Sequence, residues 1–148
     1  TQTTLSMDDT SKIIHCLKEK FPHIQSPAKE DICYATQNRQ DAVNSIIEYC
    51  DFLIVIGSKN SSNSKRLAEL AEKNSVPAVL IDHKGDLDME SLSGKKVIGI
   101  TAGASAPEIL FNDVLDYLIF HGAKIKDFGQ ENKIENITFG LPKELRNL

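Results

Sequence analysis

A cluster of serine and asparagine residues lies where an apolar run of this sequence passes into a helical pattern. In the stretch IVIGSKNSSNSKRLAEL, residues 54–70, the cluster contains Ser61, Ser62, Asn63 and Ser64. Only one residue can serve as the N-cap of a helix, and serine and asparagine are mediocre helix formers. The surplus of hydroxyl and amide groups predicts a ligand at the helix start, where unpaired N–H groups and the helix dipole favour an anion.

A second stretch, TAGASAPE at residues 101–108, has similar chemistry at another strand end. Ser105 precedes Glu108 by three positions, which is a capping-box pattern, so Ser105 alone is expected to cap a helix. Together, the two stretches predict a cradle of phosphate size built without lysine or arginine. Neither contains the GKS or GKT ending of a P-loop or the GxGxxG fingerprint, so a small phosphate or diphosphate ester is favoured over a nucleotide.

The three cysteines differ in their surroundings. Cys16 and Cys50 lie in predicted helices beside apolar residues, where free cysteine commonly acts as a small buried hydrophobe. Cys33 lies in the connection KEDICYATQNRQ, ahead of a helix and flanked by groups that would stabilise a thiolate. The residues alone leave a ligand or nucleophile role for Cys33 open. An odd number of cysteines without a CxxC pair predicts neither a disulfide framework nor a zinc site.

Composition narrows the classes of protein that this chain can represent. Its 148 residues suit about one ordinary domain, and its net charge of -4 argues against a general nucleic-acid binder. No apolar run approaches the roughly 20 residues that span a bilayer, and no signal segment opens the chain. We therefore expect a cytoplasmic protein without a membrane or nucleic-acid partner. The first residue is Thr1 rather than methionine, which indicates a piece of a longer protein.

The elements that must position these residues follow from changes in hydrophobic period. A helix is predicted over about residues 7–20, and the proline-containing connection after it indicates a boundary near residue 30. Beyond it, helices alternate with apolar strand-like runs, which predicts an α/β fold with a small parallel sheet flanked by helices. The predicted pieces are a helix at 37–50, strands in DFLIVIG, PAVLID and KKVIGITAG, a short helix near DMESL, and a helix ending near Gly122.

Several motifs, in this order and spacing, resemble the C-terminal half of the LytB/IspH reductases. They are TQTTLS, DDT, FP, DICYATQNRQ, GSKNSSNSKRLAELA, TAGASAPEIL and, near the end, PKEL. The family consists of the 4-hydroxy-3-methylbut-2-enyl diphosphate reductases of the non-mevalonate isoprenoid pathway. The resemblance implies a three-lobed α/β reductase closed around an iron–sulfur cluster. Residues 1–30 would end the second lobe, 31–124 would form the third, and 125–148 would be a C-terminal tail.

The resemblance also implies roles for individual residues. Cys33 would be one of three thiolate ligands of a 4Fe–4S cluster, the other two coming from an N-terminal half that this sequence lacks. Thr3 would orient the substrate's hydroxyl group or relay a proton to it. The implied reaction is a two-electron reductive dehydroxylation, fed by a donor such as ferredoxin or flavodoxin, that yields isopentenyl and dimethylallyl diphosphates. The residues implied to bind the allylic diphosphate are Ser61, Ser62, Asn63 and Ser105, with a further hydroxyl from Thr36.

Two other classes of function remain open at this point. Serine-rich turns at helix starts also hold sugar phosphates, so the chain could be a cofactor-free phosphosugar- or phosphate-ester-binding module. It could also be a structural lobe that serves assembly only. The first alternative predicts binding of a phosphate ester without a need for Cys33, and the second predicts no ligand.

Overall fold

The structure is a computed structural model that describes residues 7–25 and 33–126. These residues form five helical segments and three strands. Helices and strands alternate after the first two helices, as the changes of hydrophobic period predict. The elements are α1 (Met7–Lys20), α2 (Tyr34–Ile47), β1 (Phe52–Ile56), α3 (Ser62–Lys73), β2 (Ala78–Ile81), a 3₁₀ turn (Lys84–Asp86), β3 (Ile98–Ala102) and α4 (Glu108–Phe120).

The three strands form one parallel sheet in the order β2-β1-β3. Leu53 of the central strand pairs with Ala78 on one side and with Gly99 on the other. All five residues of β1 are buried, as expected for a parallel strand that is covered on both faces. The predicted α/β class with a small parallel sheet is confirmed.

Side chains of β1 alternate between two apolar layers, because successive residues of a strand point to opposite faces. Phe52, Ile54 and Ile56 pack in the layer that α4 covers, and Leu53 and Val55 pack in the layer that α2 and α3 cover. Each fully buried Leu, Ile or Val contributes roughly 1.5–3 kcal/mol. The two layers therefore stabilise the sheet from both sides and fix the register of its central strand.

The apolar side chains of α1 remain largely exposed, although this helix has the predicted bounds. Thr10 is buried, and Asp9 forms ion pairs with Arg66 at 3.5 Å and with Lys73 at 3.8 Å, so the start of α1 contacts α3. The side chains further along do not reach this contact. Those that are exposed by 36% or more in and just beyond α1 are Ile13, Ile14, Leu17, Phe21 and Ile24.

Two local predictions about the elements are wrong. Helix α2 covers Tyr34–Ile47 rather than residues 37–50, so Cys50 lies beyond its end. The stretch DMESL forms turns, in which the Asp88 carboxylate accepts the N–H of Glu90 at 3.0 Å, and the 3₁₀ turn lies earlier. An Asx turn of this kind competes with a helix for backbone donors.

The prediction that Ser105 caps α4 is also wrong. The N-cap residue is Pro107, and no side chain caps this helix. A proline disfavours the helical conformation in the residue before it, so α4 cannot begin early enough for Ser105 to act as a cap.

No helix within the described residues 7–25 and 33–126 is long and apolar enough to cross a membrane.

Candidate functional site

The carboxyl ends of β1 and β3 form the topological switch point of the sheet. The chain leaves β1 for α3 on one face and leaves β3 for α4 on the other, and the two strands are neighbours. The N–H of Gly103 donates to the carbonyl of Ile56 at 2.8 Å, which holds the second turn beside the end of β1. Ligands of open α/β sheets bind in the crevice at such a point. The two serine-rich turns therefore lie together where this fold favours a ligand.

Ser61 is the N-cap of α3. Its hydroxyl accepts the N–H of Ser64 at 3.3 Å, and its backbone is extended as a cap requires. A serine hydroxyl has one proton to donate in addition to its lone pairs. Capping therefore leaves the Ser61 O–H available to an anion, and the two roles considered for this residue do not exclude each other.

The side-chain amide of Asn63 is enclosed without a hydrogen-bond partner. Neither its Oδ1 nor its Nδ2 has one among the residues that the structure describes, and both atoms are inaccessible to solvent. Its Nδ2 lies 3.8 Å from the position that a Cβ on Gly103 of the second turn would occupy. Buried amides are nearly always paired, and an unmet one costs about 1–3 kcal/mol. Asn63 therefore requires a partner from outside the described residues.

Ser62 and Ser105 are exposed on the two turns. Ser62 is the first residue of α3, and Ser105 lies in the turn between Gly103 and the start of α4. Ser61 is the N-cap of α3 and Pro107 is the N-cap residue of α4, so the hydroxyls of Ser62 and Ser105 are not needed as helix caps. Both remain available as donors to an anion above the switch point.

Cys33 directly precedes α2, and the direction of that helix indicates which end of the strands the thiol is near. The far end of α2 is near the amino ends of the strands, because Ile46 and Cys50 approach Gly99 in the first half of β3. Helix α2 has 14 residues, which at 1.5 Å per residue is about 20 Å, more than the length of these short strands. A helix that packs on a parallel sheet and leads into its next strand runs antiparallel to that strand, so we expect the start of α2, preceded by Cys33, near the carboxyl ends of the strands.

The thiol of Cys33 is exposed and has a hydroxyl partner. Its Sγ lies 3.0 Å from Oγ1 of Thr36, which is itself only 2% exposed. This hydrogen bond is the main cause that lowers the pKa of Cys33, followed by the backbone N–H groups at the start of α2. Hydrogen bonds to a thiolate favour its charged form, so Cys33 is suited to metal ligation or nucleophilic chemistry.

The other two cysteines lie elsewhere. Cys50 donates its S–H to the carbonyl of Ile46 at 3.1 Å, and burial raises its pKa, with a smaller contribution from the charge of Asp51. Its half-buried position agrees with the predicted structural role, whereas Cys16 is exposed, contrary to the same prediction. Within the described residues, no three His, Cys, Asp or Glu side chains are grouped to hold a metal. Cys33 could thus supply one ligand of a metal centre and would need others.

Two residues that the sequence analysis did not select, Gly57 and Gly103, belong to this site. They directly follow β1 and β3, and the side chain of Ser64, a member of the serine-rich cluster without a role of its own there, lies against both of them. The signal in the sequence is the glycine that directly follows each apolar run, in VIG and in TAG. Such a glycine indicates a close approach of another group. Thr3, the predicted catalytic residue, lies outside the described residues, as does most of the predicted tail.

Comparison with known proteins connects this chain to one family. The family model described as LytB protein matches residues 1–119. The 4-hydroxy-3-methylbut-2-enyl diphosphate reductase of Pseudomonas entomophila is 58% identical over 146 residues, which cover 99% of this chain and 46% of the relative. The enzyme of the same name from Ectopseudomonas mendocina is 59% identical with the same coverage. The chain therefore spans about half the length of the curated relatives that it matches.

Two solved structures also resemble the chain. The structure of the E-1-hydroxy-2-methyl-but-2-enyl-4-diphosphate reductase from Plasmodium falciparum is 47% identical with a TM-score of 0.76, covering 80% of this chain and 37% of that protein. The second is described as (E)-4-hydroxy-3-methyl-but-2-enyl diphosphate reductase, the terminal enzyme of the non-mevalonate pathway. It is 28% identical with a TM-score of 0.57, covering 80% of this chain and 42% of that protein.

Proposed function

The chain belongs to the LytB protein family, and from this we propose that it is the C-terminal portion of a 4-hydroxy-3-methylbut-2-enyl diphosphate reductase. In this proposal the whole enzyme converts its allylic diphosphate substrate to isopentenyl and dimethylallyl diphosphates by reductive dehydroxylation. The reaction takes up two electrons and two protons and releases water.

The observation that carries this proposal is the unpartnered amide of Asn63 at the switch point. Its Nδ2 can donate to a diphosphate oxygen, and its position beside Gly103 would join the two turns around one anion. Ser61 and Ser62 would donate from the first turn, and Ser105 would donate from the second. No cation is required, because the N-terminal ends of α3 and α4 attract negative charge.

The surroundings of Cys33 suit one ligand of a 4Fe–4S cluster. A cluster ligand must be a thiolate, and the Thr36 hydroxyl stabilises the charged form of this sulfur at an exposed position. The fit extends to one ligand only, and in the proposal the two further cysteines belong to the N-terminal half. When bound, the cluster would supply electrons and a Lewis-acidic open iron to the substrate.

Thr36 and Thr3 have further roles in this proposal. The Thr36 hydroxyl is a partner of the Cys33 sulfur, and a substrate contact would use its remaining hydrogen-bonding capacity. Thr3 keeps its proposed role near the substrate's hydroxyl group, as an orienting group or proton relay. The proposed macromolecular partners are the N-terminal half of the enzyme and an electron donor such as ferredoxin or flavodoxin.

The alternative of a cofactor-free phosphate-ester-binding module is not favoured. That alternative gives no role to the Cys33 thiol, whose pKa is lowered. The relatives are also named as reductases. Replacement of Cys33 distinguishes the reductase from the phosphate-ester-binding module, because only the reductase requires this thiol.

Iron and sulfide analysis of a protein that carries both halves of the family sequence tests the proposal. Cys33→Ser is expected to lose the stable cluster and nearly all turnover, while its binding of inorganic diphosphate remains. Cys16→Ser and Cys50→Ser are the matched controls and should keep full iron and sulfide content. A Cys33→Ser protein with full iron content would refute the role proposed for this residue.

A further inference from the structure

The hydroxyl of Ser64 is buried between the two strand-end turns. Ser64 is 1% exposed, and its Oγ has no hydrogen-bond partner among the described residues. A Cβ placed on either Gly57 or Gly103 would overlap this same oxygen. One atom of α3 therefore fills the space over two glycines that end two different strands.

Both glycines are required here for space rather than for backbone conformation. Neither has a positive φ, unlike Gly94 and Gly122. In each glycine a hydrogen replaces the Cβ, so a Cα–H group of Gly57 and one of Gly103 lie beside the Ser64 oxygen. Weak Cα–H···O contacts of this kind recur where backbones approach closely. The hydroxyl thus lies between the two turns, in addition to the hydrogen bond from the Gly103 N–H to the Ile56 carbonyl that holds them side by side.

Stability alone does not explain a serine at this position. A buried hydroxyl without a conventional partner is destabilising, and alanine is a better helix former than serine. An alanine at position 64 would keep the backbone N–H that Ser61 caps. It would remove only the oxygen that separates the two turns, so the reason for the oxygen must lie in the geometry of those turns.

We infer that Ser64 is a positioning residue, whose hydroxyl holds the turns at the separation at which Asn63 and Ser105 bind the same anion. The inference rests on the proposed diphosphate site and adds a residue that does not touch the ligand. The neighbouring Asn63 amide faces Gly103, so a shift of the second turn changes the distance that a bound diphosphate must bridge.

The test uses the cluster-containing protein with both halves and measures inorganic diphosphate affinity, steady-state kinetics and urea unfolding. Ser64→Ala is expected to weaken diphosphate binding by about 5- to 30-fold, because the two turns would no longer hold Asn63 and Ser105 at the separation that one anion bridges. It should raise KM with little change in kcat, and leave the unfolding midpoint in place. Ser45→Ala, an exposed serine of α2, is the matched control and should change none of these.

A compensating pair distinguishes a spacer from a direct ligand. In Ser64→Ala/Gly103→Ala the new methyl at position 103 occupies the place of the lost oxygen, at 3.4 Å from the Cβ of residue 64. The pair should recover affinity to within about threefold of wild type. Ser64→Ala/Gly57→Ala should recover less, because there the two carbons approach to 3.0 Å.

Each of the other outcomes would overturn the inference. Unchanged affinity in a folded Ser64→Ala protein would show that the hydroxyl does not position the two turns for an anion. A Ser64→Ala protein that does not fold would make Ser64 a residue of stability alone. Weakened affinity without recovery in the Gly103 pair would make it a direct ligand. If the wild-type protein with an intact cluster fails to bind inorganic diphosphate, the proposed function fails together with this inference. If wild type binds it and only the Ser64 variants behave otherwise than expected, the inference alone fails.

Discussion

The sulfur of Cys33 lies 3.0 Å from the hydroxyl oxygen of Thr36, three residues further along α2. Cys50 lies at the other end of the same helix, where burial rather than a hydroxyl dominates its environment. The pKa of Cys33 is lowered and that of Cys50 is raised. The two thiols that flank α2 are therefore chemically different.

This difference predicts the pH dependence of thiol alkylation in the chain without a cluster. The thiolate is the reactive form, so a lowered pKa moves the midpoint of reactivity to lower pH. Cys33 should reach half-maximal reaction with iodoacetamide at lower pH than Cys50, measured by mass spectrometry of the modified peptides. Thr36→Val should move the Cys33 midpoint to higher pH and leave Cys50 unchanged; equal midpoints for both thiols in wild type would contradict the assignment.

Asn63→Ala should weaken binding without a loss of stability. The variant removes a hydrogen bond to a charged ligand, worth about 1.5–3 kcal/mol, or roughly a 10- to 150-fold loss of affinity. Its unfolding free energy should stay equal or rise, because an unpaired buried amide is removed. Calorimetric titration with the diphosphate substrate and urea unfolding measure the two quantities on the same protein.

Ser61→Ala is the informative comparison for that variant. It removes the acceptor of the Ser64 N–H, so we expect a loss of about 1 kcal/mol in unfolding free energy together with weaker binding. If Asn63→Ala loses stability and binds normally, while Ser61→Ala does the same, the serine-rich turn is a capping structure only.

Gly99→Ala should destabilise the fold at the amino-terminal end of the strands, away from the candidate site. A Cβ there would lie 2.8 Å from Sγ of Cys50 and 2.9 Å from Cδ1 of Leu53. Overpacking of this kind costs about 1–3 kcal/mol. Cys50→Ala in the same protein should recover part of the loss in urea unfolding, since it removes one of the two close contacts. A Gly99→Ala protein as stable as wild type would show that this layer can adjust.

Amide hydrogen exchange should divide the chain into parts of different stability. The amides of β1 should be the best protected, because both faces of the strand are covered. The amides in the second half of α1 should exchange faster, since the side chains of Ile14, Leu17 and Phe21 lack a covering layer. Equal protection of α1 and β1 would be inconsistent with the packing described above.

Much of the fold follows from hydrophobic period alone. The strands were predictable because a run such as FLIVI has no polar side and is short, which a covered parallel strand requires. The end of α2 was not predictable, since the apolar residues of EYCDF continue a helical pattern past Ile47. There the N–H groups of Tyr49 and Cys50 turn to carbonyls three residues back and end the helix.

The candidate site was predictable in its residue types but not in its packing. Surplus serines at a helix start point to a ligand whatever the tertiary structure, and the parallel sheet then brings the second turn to the same edge. The roles of Ser64 and Gly103 depend on a contact between residues 39 positions apart. No local pattern encodes such a contact, because the sequence does not specify which strand will lie beside β1.

The placement of Cys33 and Cys50 at opposite ends of α2 limits how this chain responds to oxidants. The helix between them is about 20 Å long, whereas the Cα atoms of a disulfide lie less than about 7 Å apart. Air oxidation of the folded chain therefore cannot join these two sulfurs. An exposed Cys33 thiolate without a cluster would instead be oxidised to a sulfenic acid or cross-link to an accessible thiol such as that of another molecule. Oxidation of the Cys33 thiol would thus be visible as disulfide-linked dimers on a non-reducing gel, with Cys50 still in its thiol form.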